Sequence, residues 1–274
     1  MNISIIEQSC ISKYQDEDHC EDGLYIGPHY LAVVDGVTSK GSMTWPGGRT
    51  GGRFARDILL AAMDRLPADA GAAEAVTFLN SCLAQSYGDR RDLLADRREE
   101  RPQAAVIIYS FFQGEIWSFG DCQCIIDGRF YSHSKMIDDL LAEVRCFYNH
   151  SELLSGKTKE ELMEHDAGRS FILPLMQRQL AFAGGEGPYA YDILDGFDIR
   201  AERTVIHKVS KGSQVVIASD GYPKLMDTLE QSEEFLARVL KEDPLCIDLC
   251  HGTKGLAKGN RSFDDRTYMR FMVQ

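Results

Sequence analysis

Leu31-Ala-Val-Val-Asp-Gly-Val-Thr-Ser-Lys-Gly-Ser42 is the stretch on which the fold turns. Leu31 to Val34 is a continuous apolar run, the pattern of a strand covered on both faces. It stops on Asp35 and Gly36. An unpaired carboxylate at the mouth of an apolar strand resists burial, yet it is well placed to hold a cation. Gly36 lets the backbone come close, so its carbonyl could be a further hard oxygen ligand. Asp-Gly is also a favoured hairpin dipeptide, and a plain turn is the competing reading.

The pattern returns near the C-terminus. Val215-Val-Ile-Ala218 runs into Ser219-Asp220-Gly221, and Asp264-Asp265 stands just before the apolar stretch Tyr268 to Val273. Carboxylates at strand ends converge when their strands are neighbours in a sheet. Hard oxygens with no His or Cys partner nearby suit magnesium or manganese better than zinc.

Working outward, Ile3 to Ile6, Leu24 to Ile26 and Tyr30 to Val34 read as strands. Between the first two lies an acid-rich loop, Ser12 to Gly23. A calcium-binding EF-hand register fails there, because Cys20 and His29 fall on ligand positions. Helices are expected over Arg53 to Leu66, with Phe54, Ile58, Leu59 and Met63 as a core-facing stripe, and over Ala70 to Tyr87. The mixed charge run Arg90 to Arg101 reads as a solvated helix face. Ala104 to Phe112, Glu115 to Phe119, Cys122 to Ile126 and Arg129 to Ser132 form an antiparallel meander. Helices follow within Lys135 to Leu180. Strands at Thr204 to Val209 and Gln214 to Ala218, a helix at Leu229 to Leu240 and a strand at Thr267 to Val273 complete the chain. This order predicts an α+β protein with two antiparallel sheets covered by helices, not a parallel α/β fold. We find no internal repeat, and residues 1–274 read as a single domain.

The 274 residues carry a formal net charge of −12, which argues against nucleic acid and anionic membrane as main partners. No stretch approaches the ~18 apolar residues of a membrane span. The N-terminus lacks the basic-then-apolar pattern of a signal peptide, and none of the eight cysteines forms Cys-x-x-Cys. The expectation is a cytoplasmic protein with reduced thiols.

Five short motifs stand in a fixed order: Lys13 with Glu17-Asp18, Val33-Val-Asp-Gly36, Phe119-Gly-Asp121, Ala218-Ser-Asp-Gly221, and Asp264-Asp-Arg-Thr267. Together they resemble the metal-dependent protein phosphatase 2C family, in a divergent bacterial form, over nearly the whole chain. The resemblance implies a four-layer α-β-β-α sandwich. It implies that Asp35 bridges two Mn2+ or Mg2+ ions, with the Gly36 carbonyl on one and Asp220 and Asp264 on the other. Glu17 would accept a hydrogen bond from a coordinated water, and Lys13 would contact the phosphate. Two cations sharing a water would lower its pKa and aim it at phosphorus.

Departures from the family pattern are specific. Val37 stands where animal members have a candidate acid histidine. Lys224 replaces the aspartate that would join Asp121 in a third metal site, so that site is in doubt, and Lys224 itself becomes a candidate phosphate contact. Asp18, His19 (a conceivable proton shuttle), Gly221 and Asp265 are further candidates around the centre. The loop after Gly36 carries an unusual Trp45-Pro46, and residues 132–198 match the family poorly, marking them for substrate specificity or a lid. The activity implied is hydrolysis of phosphoserine and phosphothreonine in proteins, with a phosphoprotein, a kinase among the candidates, as partner. Two alternatives stay open: a non-catalytic module that binds a phosphoprotein or kinase, and a phosphatase of small phosphate esters. Nothing in the sequence fixes the oligomeric state.

Overall fold

In the computed structural model, which describes residues 2–274, the opening apolar run becomes β3 (Tyr30–Gly36). It is hydrogen-bonded between β2 (Asp22–Ile26) and β4 (Ala104–Ser110). Successive side chains of a strand point to opposite faces, and here both faces are dry. Leu31 and Val33 join Ile107 and Tyr109 in the core between the two sheets, while Ala32 and Val34 face Phe54, Leu59 and Leu79 of the helices outside. That double burial is why the run shows no polar alternation.

With β5 (Glu115–Phe119) and β8 (Val205–Lys208), this sheet has the order β2-β3-β4-β5-β8. The second sheet is built from β1 (Ile3–Ile11), β6 (Gln123–Ile126), β7 (Arg129–Tyr131), β9 (Gln214–Ala218) and β10 (Arg266–Val273), in the order β1-β10-β9-β6-β7. Every strand pair is antiparallel. Val215, Ile217, Met269 and Phe271 supply the second sheet's half of the inner core.

The outer layers complete the α-β-β-α order. α1 (Gly51–Met63) and α2 (Ala72–Gln85) cover the first sheet. Thr50 caps α1, its hydroxyl accepting from the Arg53 N–H. The unusual Trp45 belongs to this layer: it is buried and stacks on Phe54 with ring centroids 4.3 Å apart. Over the second sheet, Ile125, Val216 and Tyr268 are covered by Tyr222, Leu225 and Leu229, where α7 (Leu229–Glu242) begins. Residues 90–98 form the expected solvated face, with only Leu94 buried, and the run departs from it at its end. They form 3-10 turns around the short α3 (Arg91–Asp96), and the run ends on buried Glu100 and Arg101. Glu100 accepts the backbone N–H groups of Ser42 and Met43, and Arg101 pairs with Asp195.

The segment 135–180 folds as α4 (Met136–Leu154), α5 (Lys159–Glu164) and α6 (Ala167–Arg178). Arg145 of α4 is fully buried and acts as a clamp. Its guanidinium donates to Asp166 Oδ2 at 2.8 Å, to the Gly252 carbonyl at 2.8 Å and to the Leu245 carbonyl at 2.8 Å. Asp166 in turn caps α6. One side chain thereby ties two helices to the loop that leads into Lys254. Arg145→Leu leaves Asp166 and these carbonyls without their donor, and we expect it to cost about 3–5 kcal/mol, read as a lower midpoint in urea unfolding.

Candidate metal centre

Three strand ends meet at one edge of the sandwich. Asp35 is the penultimate residue of β3, Asp121 lies between β5 and β6, and Asp220 follows β9. One carboxylate oxygen from each lies within 4.8 Å of the others. The Asp220 N–H also donates to Asp35 Oδ2 at 3.4 Å, joining the two sheets. The glycines explain the Asp-Gly pairs, which are not hairpin turns. A Cβ on Gly36 would fall 2.4 Å from the Glu21 carbonyl oxygen, and one on Gly221 would fall 1.9 Å from that of Asp265. Neighbouring backbone runs where a side chain would be.

Asp22, within the stretch Ser12 to Gly23 expected as an acid-rich loop, joins this group because it is the first residue of β2. It opens β2 directly opposite Asp35, is buried, and accepts a hydrogen bond from the Thr267 hydroxyl at 3.0 Å. Like charges directly opposite across a strand pair are destabilising. Burial, then the neighbouring carboxylates of Asp22 and Asp121, push the Asp35 carboxyl well above its usual range. Solvent reaches Asp220 through the cleft, yet its enclosure by protein and the charges of Asp35 and Asp121 push it up in the same way. Lys135 offsets part of the charge by donating to Asp121 Oδ2 at 2.5 Å. Asp35, Asp121 and Asp220 thus fit a hard divalent cation in both donor type and unbalanced charge.

The other half of the expected centre is organised differently. Asp264 is not in the trio. Its carboxylate is held by two ammonium groups, Lys13 Nζ at 3.0 Å and Lys254 Nζ. Burial works against its charge, and the two lysines more than offset this, holding the carboxyl well below the usual range. Lys13 is buried, and its ammonium also reaches Glu21 Oε2 at 3.0 Å and Asp265 Oδ2 at 3.3 Å. Burial alone would lower its pKa; Asp264, Glu21 and Asp265 outweigh that and keep it charged. The carboxylate of Asp265 accepts the backbone N–H groups of Lys13 and Glu21 at 2.7 and 3.0 Å. This half already carries its cations and does not fit a metal ion.

Several sequence candidates lie elsewhere. Glu17 is exposed and binds the Ser12 N–H and Arg261, so the inner glutamate is Glu21. Asp18 and His19 sit on an exposed 3-10 turn capped by Asp16, whose carboxylate also holds the His19 ring. The signal that could have separated the two Glu-Asp pairs is position: Glu21-Asp22 abuts the strand that pairs with β3. Lys224 lies over the Phe235 ring of α7 at 5.7 Å and does not line the cleft.

Two adjoining cavities, of about 350 and 300 Å³, share Asp121, Asp220, Lys254 and Asp264 as their floor. Lys40 and Arg169 stand on the wall of the second. Lys40 donates to the Thr38 carbonyl at 2.6 Å, and Arg169 to the Thr253 carbonyl at 2.9 Å. Burial and the nearby cations Arg169, Lys254 and Lys135 lower Lys40 to about 8. No carboxylate is paired with either Lys40 or Arg169 among the described residues. Their charge is open to an anion.

Compared with solved structures, the chain matches the Mycobacterium tuberculosis serine/threonine phosphatase PstP/Ppp at 17% identity and a TM-score of 0.50, over 99% of each chain. It also matches the catalytic domain of the serine/threonine protein phosphatase PstP in complex with two manganese ions, at 15% identity and a TM-score of 0.49 over 100% of both chains. A third match is PppA, described as a key regulatory component of T6SS in Pseudomonas aeruginosa, at 14% identity and a TM-score of 0.49, over 100% of this chain and 99% of that one. No protein-family model matches the sequence, and no curated protein does. The chain has the fold of the M. tuberculosis phosphatase, as its motifs implied.

The crowded carboxylates set a pH dependence. Raised carboxyl pKa values favour the metal-free fold while the groups are protonated. That contribution is complete below the unfolded carboxylate range, about pH 4, and is lost as pH rises through the folded values. Manganese competes with those protons. We therefore expect the thermal shift caused by manganese to grow from about pH 5 to about pH 8. At neutral pH, Asp220→Asn should raise the metal-free melting temperature by roughly 2–3 °C, as about 1 kcal/mol does for a chain near this size, and abolish the manganese shift. Differential scanning fluorimetry reads both.

Proposed function

We propose that this chain is a divergent metal-dependent phosphatase of the 2C type, acting on phosphoserine and phosphothreonine in proteins with Mn2+ or Mg2+ held by Asp35, Asp121 and Asp220. The observation that carries the reading is the meeting of these three carboxylates at the floor of a cleft whose wall presents Lys40 and Arg169. Carboxylates alone would repel a phosphate. When bound, a divalent ion supplies Lewis-acid activation of water and offsets charge on the phosphoryl oxygens.

The chain's own residues divide the remaining work. Arg169 and Lys40, neither paired with a carboxylate among the described residues, approach an anion from different segments and fix its orientation. Val37 has no proton to give. Lys40, lowered to about 8, keeps its proton at neutral pH and faces the same cleft, so it can protonate the leaving oxygen. The helical stretch within 132–198 acts as the specificity wall, contributing Lys135 and Arg169. We take residues 1–274 as one catalytic domain. The eight unpaired cysteines support a reducing, cytoplasmic setting. No helix among the described residues is long and apolar enough to cross a membrane. A second reading, phosphoprotein binding without hydrolysis, is favoured by one feature only, the capture of Asp264 by lysines.

Hydrolysis of p-nitrophenyl phosphate and of a phosphothreonine peptide tests the proposal. Turnover should require manganese, stop with EDTA, and fall to background in Asp220→Ala. Metal-independent turnover, or activity surviving in that variant, would sink it; manganese-dependent peptide binding without turnover would support the second reading. The pH profile tests Lys40. Wild-type kcat/KM should fall as pH rises through about 8, where the ammonium loses its proton, and Lys40→Arg should be slower with no such limb.

A further inference from the structure

The cation at the Asp264 side of the centre is a side chain. We propose that the Lys13 ammonium is a built-in substitute for a metal ion, so that the chain takes up one divalent ion, at Asp35, Asp121 and Asp220, and none at Asp264. The inference rests on the metal-dependent reading above and refines it.

Lys13 Nζ is surrounded by four oxygens: Thr38 Oγ1 at 2.9 Å, Glu21 Oε2 and Asp264 Oδ1 at 3.0 Å, and Asp265 Oδ2 at 3.3 Å. An ammonium has three N–H donors, so its hydrogen-bonding capacity is fully used. These are ammonium distances; magnesium ligands lie at about 2.1 Å. The lysine cannot easily swing away. Its N–H is held by Asp265 Oδ1 at 2.7 Å, and its carbonyl accepts from the Arg261 N–H at 2.9 Å. Glu21 is fixed in turn by the hydroxyls of Thr38 and Thr50, each at 2.6 Å.

Charge divides the centre in the same way. Glu21, Asp264 and Asp265 face the ammonium groups of Lys13 and Lys254, so one negative charge is left over. Asp22, Asp35, Asp121 and Asp220 have Lys135 as the one ammonium paired with them among the described residues, so three of the four carboxyl groups have no cation partner. A divalent ion gains most at the second group and meets repulsion from two lysines at the first.

Metal content decides the matter without reference to activity. Equilibrium dialysis against manganese, with elemental analysis, should give one ion per wild-type chain, and electron paramagnetic resonance should show an isolated ion, not a coupled pair. Lys13→Met, shown folded by circular dichroism, should bind two; Lys13→Arg, which keeps the charge, should bind one. Two ions in the wild type would overturn this inference and leave the metal-dependent reading standing. None in the wild type would overturn the metal-dependent reading itself. A folded Lys13→Met that still binds one would refute the exclusion by Lys13. Should that variant fail to fold, the wild-type count decides alone.

Discussion

Like charges forced together at one edge of the sandwich are the constraint from which the rest of the site follows. Carboxylates whose oxygens lie within 4.8 Å of one another repel by at least roughly 3 kcal/mol at an effective dielectric constant near 20. Asp22, Asp35 and Asp220 all have pKa values pushed upward, so the fold holds them against their preference. The holding is done by backbone. Strand pairing sets Asp22 opposite Asp35, and the Asp220 N–H bridges to the other sheet. The inner core pays for this arrangement with dry contacts such as Val33 and Ile107 against Ile217 and Met269.

The acidic edge is relieved in two ways. Toward β10, lysines take the charge: Lys13 from the end of β1 and Lys254 from the loop after α7. Toward β3 and β9, Lys135 is the one ammonium among the described residues that reaches the group, leaving room for a diffusible cation. A permanent ammonium and an exchangeable ion differ in consequence. The ammonium fixes the geometry of Glu21, Asp264 and Asp265 whatever the solution contains. An ion bound at the other half would make it conditional on metal supply and on pH.

The framework was legible because burial leaves a periodic trace. The apolar run before Asp35 and the run before Asp220 became β3 and β9, and Asp121 entered through the Gly-Asp that ends β5. The inner Glu-Asp pair was not legible. Glu17-Asp18 and Glu21-Asp22 are chemically alike, and only pairing of β2 with β3 shows which one turns inward. Lys13 was found, but its contacts were not, since Asp264 lies far along the chain and no local pattern reports that distance. The charge run is solvated as expected through Arg98, but the burial of Glu100 and Arg101 at its end was not legible for the same reason. Its buried partners are the loop at Ser42 and Met43 and the distant Asp195.

The cations on the cleft wall come from the parts of the chain least like the motifs. Lys40 lies in the loop after Gly36 and Arg169 on α6, while Lys254 follows the segment gripped by Arg145. Gln177 of α6 also donates to the Lys40 carbonyl at 3.4 Å, linking wall to loop. Because Arg145 holds α4, Asp166 and residues 245–252 together, a change in helix packing would move Arg169 and Lys254 together. The acidic floor would stay in place, since strand pairing fixes it. The acidic floor is therefore set by the sandwich, and the cationic wall is set by the helical segment. The two can diverge independently, which is consistent with strand-end motifs that persist while the wall and its loops depart from the family pattern.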